Sequence, residues 1–162
     1  MKSETKFITK ASVTAAIYVI LTLLSYVFGL SGNMIQLRIS ECLTILPAFG
    51  EAFVPGLTIG CLIANILTGA SLPDIIIGTL ATFIGAYFTG KLKDKSIFLK
   101  LLPPIISNTV LVPLILYFFY GLKVNYLLIT LWVFAGEFIS AGVFGFILYE
   151  IIIKNKKLRE LL

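Results

Sequence analysis

The amino-acid sequence predicts an all-α membrane protein, a bundle of six transmembrane helices forming one domain over residues 1–162. Of the 162 residues, 59% are hydrophobic and only 13% are charged, and the mean hydropathy is +1.03. A water-soluble domain of this size lacks the interior to bury so much apolar side chain. The apolar runs are long and unbroken, unlike the alternating ten-residue segments of a membrane barrel. At about 20 residues per crossing, the chain has room for six helices.

The first predicted span is Ala11–Phe28, followed by a loop at Leu30–Gln36. The region Arg38–Leu67 is ambiguous because proline and glycine interrupt it. It is either one broken helix or two short helices joined near Gly50-Glu51.

The second half of the chain is simpler. Ser71–Thr89 is the next predicted span, with Pro73 suited to its first turn. Ile97–Tyr120 contains three prolines that predict a kink. A turn at Gly121–Asn125 then leads to the last span, Tyr126–Ile153.

The basic residues predict the orientation in the membrane. Eleven of the 13 Lys and Arg residues form three clusters: before the first span, around residues 91–100 and after the last span. Such clusters mark the cytoplasmic side. An even number of crossings must then separate the first two clusters, so residues 38–67 are predicted to cross twice. This gives six crossings with both termini cytoplasmic.

Several function classes are excluded by composition. The absence of His removes histidine metal sites and Ser-His or Cys-His nucleophile pairs. The sequence has no G-x-x-x-x-G-K-[ST] motif, so any ATP chemistry requires another chain. Cys42 and Cys61 fall within apolar segments and are expected to be inert thiols. We expect no metal, no cofactor and no nucleic acid, because the net charge of +5 is explained by orientation in the bilayer.

Arg38 and Glu41 are the first candidate site residues. Charges next to hydrocarbon cost roughly 2.5–3.5 kcal/mol each at mid-bilayer. Residues three apart share a helix face, so the two side chains are expected to point the same way, with Arg38 holding Glu41 in place. The predicted topology puts them at the outer face. The alternative is a self-satisfying ion pair at a helix start near the interface.

Other polar residues lie inside the predicted spans. Glu137 is the most costly, and either contacts a ligand, carries a proton or hydrogen-bonds a neighbouring helix. Asn65 and Asn108 either bind a ligand or tie helices together. Trp132 either stacks on a ligand or anchors the interface. Asp74 is either a solvated loop residue or a first-turn carboxylate favoured by the helix dipole.

Ala11 and Ala15 form a small-residue patch with the neighbouring Ser12 and Ala16. Small residues at this spacing allow another helix to approach closely. The patch is therefore either a docking face for a partner protein or a packing face within the same bundle.

The segment Gln36–Pro47, Q-L-R-I-S-E-C-L-T-I-L-P, resembles the signature of the QueT family of energy-coupling factor transporters. Pro55–Asn65 and the pair Gly136-Glu137 are similar to the same family. The resemblance covers nearly the whole chain. It implies a substrate-binding (S) component that captures queuosine precursors, the 7-deazaguanines, without covalent chemistry.

The resemblance also implies partners, a transmembrane coupling subunit and two cytoplasmic ATPases. A deazaguanine offers N–H donors to a carboxylate, a carbonyl oxygen to an amide or Arg, and a ring face to an aromatic side chain. The implied binding residues are Arg38, Glu41, Asn65, Asn108, Trp132 and Glu137. An S component for another vitamin, a channel, and a permease or membrane enzyme unrelated to these transporters are the alternatives.

Overall fold

The structure is a computed structural model that describes residues 2–30, 37–121 and 124–161. Every regular element in these ranges is helical, which confirms the all-α fold. The helices are α1 (Lys2–Val27), a 3₁₀ helix (Ile39–Ala48), α2 (Phe53–Leu67), α3 (Thr79–Lys91), α4 (Ile97–Phe118), α5 (Tyr126–Glu137), α6 (Phe144–Lys154) and α7 (Lys156–Leu161). Short π-helical segments precede α3 (Asp74–Gly78) and join α5 to α6 (Phe138–Val143).

Three helical stretches are long and apolar enough to cross a membrane: Ser3–Val27, Ile97–Phe118 and Tyr126–Lys154. The 3₁₀ helix and α2 are apolar but shorter. Ten residues of 3₁₀ helix rise only about 20 Å, less than the roughly 30 Å of a bilayer's hydrocarbon core. The described residues therefore contain three helices long enough to cross a membrane together with shorter apolar helices, and the bundle of six crossings stays a prediction.

The region 38–67 consists of two helices separated at residues 49–52, as one of the two alternatives predicted. The first is a 3₁₀ helix, in which the Glu41 N–H donates to the Arg38 carbonyl at 3.0 Å. Pro47 lies inside it and has no N–H to donate, so an α-helical hydrogen bond is lost there. A 3₁₀ helix of ten residues is unusually long, and such stretches often mark functional positions.

Other boundaries differ from the prediction. Helix α1 begins at Lys2 rather than at Ala11, because the polar start of the chain contains no helix breaker. α4 remains helical through Pro103, Pro104 and Pro113, and the predicted kink stays a prediction. The predicted loops at Leu30–Gln36 and Gly121–Asn125 include residues 31–36 and 122–123, which lie outside the described residues. The short α7 was not predicted.

Close contacts define how the helices run. A methyl group added at Gly56 would lie 2.7 Å from the Ala11 carbonyl oxygen, and one at Gly60 would lie 2.9 Å from Tyr18 Cβ. Helices α1 and α2 are therefore parallel and packed backbone to backbone. Helices α3 and α4 are antiparallel, with the Thr89 hydroxyl donating to the Lys100 carbonyl at 2.9 Å.

One end of the bundle collects the basic residues. Pro47 packs against Gly90, and the ring of Phe49 lies 5.5 Å from that of Tyr149. These contacts bring the end of the 3₁₀ helix together with the ends of α3 and α6. The N-terminal part of α1 lies at the same end, because Ala11 packs on the first turn of α2. We call this the basic end, since all three Lys/Arg clusters lie there.

Candidate ligand-binding site

Helix α1 presents a line of polar side chains to the interior of the bundle. Thr14, Tyr18, Thr22 and Ser25 are all buried. Their spacing of three and four residues puts them on one helix face. Tyr18, Thr22 and Ser25 form hydrogen bonds with the start of the 3₁₀ helix, so the two helices meet through polar contacts as well as apolar ones. The Thr14 hydroxyl instead donates to the Lys10 carbonyl of α1 itself.

Two of these bonds fix the first residues of the 3₁₀ helix. The Ser25 hydroxyl accepts from the Ile39 N–H at 2.9 Å. The Thr22 hydroxyl donates to the Ser40 hydroxyl at 2.8 Å. They satisfy polar groups at a helix start that has no side-chain N-cap. The 3₁₀ helix is thereby held in one register along α1.

Tyr18 and Glu41 make the central contact. The Tyr18 hydroxyl donates to Glu41 Oε1. Tyr18 is completely buried and Glu41 is 1% exposed. The second carboxylate oxygen of Glu41 is buried and has no hydrogen-bond partner. Glu41 therefore keeps one acceptor available inside the bundle.

Glu137 and Asn108 also keep a buried hydrogen-bonding atom without a partner. Both side chains are more than 90% buried. The Asn108 amide faces both Glu41 and Glu137, but its Nδ2 donates to neither within hydrogen-bond geometry. Glu137 Oε2 is also buried without a partner. Five buried side-chain atoms in the described residues lack a partner, and three belong to Glu41, Asn108 and Glu137.

Arg38 supplies the positive charge near these groups. Its guanidinium interacts electrostatically with Glu41 and Glu137, and its backbone N–H donates to the Ser140 hydroxyl at 3.2 Å. Among the described residues, its guanidinium forms no close ion pair with Glu41 or Glu137. The direct partner of Glu41 is Tyr18, so the geometry does not favour the self-contained Arg38–Glu41 ion pair. We call Tyr18, Arg38, Glu41, Asn108 and Glu137 the central cluster.

Asn65 belongs to a different set of contacts. Its Nδ2 donates to the Asp74 carbonyl at 3.3 Å and to Cys61 Sγ at 3.5 Å. The Thr82 hydroxyl donates to the same sulfur at 3.3 Å. We call Cys61, Asn65, Asp74 and Thr82 the α2–α3 network. Cys61 lies within electrostatic range of Tyr18, so the network touches the central cluster at this residue.

Trp132 is half-buried on α5. Five residues at about 100° each place it roughly 140° around the helix from Glu137. The structure therefore does not bring the ring and this carboxylate onto one face. A ligand-stacking role for Trp132 remains a prediction.

Ala11 and Ala15 pack within the chain itself. Ala15 is buried, and a methyl group at Gly60 would lie 3.1 Å from its Cα. This geometry corresponds to the second alternative for the patch, packing within the same bundle. The neighbouring Ser12 and Ala16 are exposed on the other side of α1. Docking through Ala11 and Ala15 stays a prediction.

Sequence reasoning missed Tyr18 and Ser140. A tyrosine inside an apolar span is easily taken for ordinary packing. The signal that could have found it is the i, i+4 spacing of Thr14, Tyr18 and Thr22 in an otherwise apolar helix. For metal ions, the described residues contain no group of three or more Cys, Asp or Glu side chains that could hold one.

Comparison with known proteins agrees with the signature in the sequence. The QueT transporter family matches residues 8–154, nearly the whole chain. A stretch of 83 residues is 37% identical to the queuosine precursor transporter QueT of Lactococcus lactis subsp. cremoris (strain MG1363). It covers 51% of this chain and 48% of that protein, so the chain spans about half the length of the curated relative it matches. No solved structure matches the chain.

The family match covers the 3₁₀ helix, α2 and Glu137, the three parts of the chain that carried the resemblance. It confirms that resemblance, and it identifies the chain with a family of transporters rather than of enzymes. The chain belongs to the QueT transporter family.

Proposed function

We propose that this protein binds a queuosine precursor, a 7-deazaguanine, in the central cluster and serves as the substrate-binding component of an energy-coupling factor importer. One observation supports this most strongly. Glu41, Asn108 and Glu137 each retain a buried polar atom without a partner. Unsatisfied polar groups inside a membrane bundle are costly, which favours a ligand that completes their hydrogen bonds.

The chemistry of a 7-deazaguanine matches these atoms. Its ring N–H and exocyclic NH₂ are adjacent donors that one carboxylate can accept together. Its carbonyl oxygen accepts from a donor such as Asn108 Nδ2 or the Arg38 guanidinium. Two carboxylates and one guanidinium carry one net negative charge when ionised. An ammonium on the ligand would balance it, which favours 7-aminomethyl-7-deazaguanine over a neutral precursor.

We further propose that the basic end faces the cytoplasm, as the positive-inside rule requires. Both termini are then cytoplasmic, and the six segments connect the two sides of the membrane. The start of the 3₁₀ helix, with Arg38 and Glu41, lies toward the opposite end, from which an imported ligand arrives.

A coupling subunit and two ATPases would complete the importer, because the chain itself has no P-loop motif. The exposed side of α1, with Ser12 and Ala16, can receive a partner helix without disturbing the α1–α2 contact. Ala16→Trp is expected to abolish uptake in the complete transporter and to leave ligand binding by the isolated protein intact. Unchanged uptake would show that this face of α1 does not dock a partner helix. Ala15→Trp is the contrasting variant, since it should disrupt the bundle itself.

Thermal unfolding against a panel of ligands tests the proposed function. The purified protein is heated in detergent with 7-aminomethyl-7-deazaguanine, 7-cyano-7-deazaguanine, queuine, guanine, thiamine, riboflavin and biotin. A ligand at 100 times its Kd adds about 2.7 kcal/mol to the stability of the folded state. We expect stabilisation by the 7-deazaguanines only. Stabilisation by a vitamin alone would make the protein an S component for that vitamin.

A further inference from the structure

The Tyr18 hydroxyl bonds to one oxygen of the Glu41 carboxylate, and the other oxygen of that carboxylate has no partner. The phenol is completely buried and donates to Glu41 Oε1, whereas Glu41 Oε2 makes no hydrogen bond. A carboxylate without such a contact can rotate about its last side-chain torsion, which is broad and roughly two-fold. The tyrosine therefore selects one orientation of the carboxylate plane.

Tyr18 packs closely against the backbone of α2. A methyl group at Gly60 would lie 2.9 Å from Tyr18 Cβ, so the absence of a side chain at Gly60 lets the tyrosine approach. One turn along α1, Thr22 bonds to Ser40, the residue before Glu41. Both ends of the Tyr18–Glu41 contact are therefore anchored, at one end to α2 and at the other to α1.

We propose that Tyr18 is a positioning residue of the binding site, which holds Glu41 so that Oε2 accepts a hydrogen bond from the bound ligand. The inference rests on the proposed function and deepens it. An acceptor that is already fixed binds a ligand more tightly than a mobile one, because no side-chain conformational freedom is lost on binding. The tyrosine itself need not touch the ligand.

A double-mutant cycle distinguishes positioning from a purely structural hydrogen bond. Tyr18→Phe keeps the ring and removes only the hydroxyl, and Glu41→Ala removes the group to be positioned. Binding of 7-aminomethyl-7-deazaguanine is measured by calorimetry for the wild type, both single variants and the double variant. Tyr26→Phe, at an exposed position of the same helix, is the matched control. Melting temperatures without ligand are recorded for all five proteins.

We expect Tyr18→Phe to weaken binding about tenfold in the wild-type background, the scale of a charge-assisted hydrogen bond. In the Glu41→Ala background, the same change should alter the Kd by less than about twofold, and Tyr26→Phe should have no effect. An equal loss in both backgrounds, or no loss in either, would overturn the proposal. Should wild-type protein fail to bind any 7-deazaguanine, the proposed function fails instead.

A second variant covers the case in which Tyr18→Phe does not fold. Gly60→Ala pushes on Tyr18 Cβ and on the Ala15 backbone without removing a polar group. Its effect on ligand affinity should likewise disappear in the Glu41→Ala background. Equal effects in the two backgrounds would contradict the positioning role.

Discussion

Most side chains of the central cluster and of the α2–α3 network are buried, but the two regions differ in how their hydrogen bonds are completed. In the network, Asn65 donates to the Asp74 carbonyl, and the Asp74 carboxylate accepts from the hydroxyls of Ser71 and Tyr120. In the central cluster, Glu41, Asn108 and Glu137 each keep an unpartnered atom. Burial alone thus does not identify a binding site. Three unpartnered polar atoms in one cluster are unusual, because most buried polar groups in folded proteins are hydrogen-bonded.

The two regions also differ in what holds them. The network mainly joins α2 to the start of α3, two helices that follow each other in the chain, with one added contact from Tyr120. The central cluster gathers residues from α1, the 3₁₀ helix, α4 and α5. A cluster assembled from four segments depends on their relative placement, so packing changes far from the ligand should affect it. The variants below test this difference, from the largest expected effect to the smallest.

Gly60→Val should damage both regions at once. Its side chain would collide with the backbone of Ala15 and with Tyr18 Cβ. Tyr18 is the residue whose hydroxyl bonds to Glu41. We expect a loss of about 3 kcal/mol or more in the free energy of unfolding, the upper range for overpacking. Gly90→Ala is the control, since its added methyl would lie 3.5 Å from the nearest atom. Denaturation in detergent measures both, and equal stabilities would show that α1 and α2 are not packed backbone to backbone.

Asn65→Leu should reduce stability and spare binding. The leucine has a similar volume but leaves the Asp74 carbonyl without its Asn65 donor, whereas Cys61 Sγ keeps the Thr82 hydroxyl. Leaving a buried group unsatisfied costs about 1–3 kcal/mol. The Kd for 7-aminomethyl-7-deazaguanine, measured at a temperature where the variant is folded, should stay within about threefold of wild type. A larger loss of affinity without a loss of stability would show that Asn65 belongs to the binding site.

Asn108→Leu is the same substitution in the other region and should have the opposite result. It removes a donor that has no partner in the unliganded protein, so the unliganded melting temperature should not fall. Affinity should drop about 3- to 10-fold, the worth of a neutral hydrogen bond of 0.5–1.5 kcal/mol. If Asn108→Leu behaves like Asn65→Leu, the distinction between the two regions is lost.

The sequence was sufficient for the helical membrane fold, for the break near Gly50-Glu51 and for the family. These follow from hydropathy, from proline and glycine, and from a short signature, all of which are local. The type of helix was not readable, because a 3₁₀ helix and an α-helix both bring residues three apart close together. The expected shared face of Arg38 and Glu41 stays a prediction, and the contact between Tyr18 and Glu41 was not foreseen.

The different hydrogen bonding of two asparagine side chains could not be predicted from the sequence. Asn65 and Asn108 are both single polar residues in apolar segments, and nothing in their neighbours distinguishes them. The difference arises from tertiary placement. The Asp74 carbonyl happens to reach Asn65, whereas Asn108 faces two carboxylates from other segments. Partner identity across segments is decided by packing, which a single sequence does not display.

The most direct test of the binding site compares affinity with stability in the two carboxylate variants. Glu41→Gln and Glu137→Gln keep the shape of each side chain but replace one acceptor by a donor. We expect each to weaken binding of 7-aminomethyl-7-deazaguanine by roughly 10- to 150-fold, equivalent to about 1.5–3 kcal/mol. The unliganded melting temperatures should stay equal to or above that of the wild type, since removing a buried charge relieves its desolvation. Unchanged affinity in both variants, or a loss of affinity that follows entirely from lost stability, would show that the central cluster is structural and that the ligand binds elsewhere.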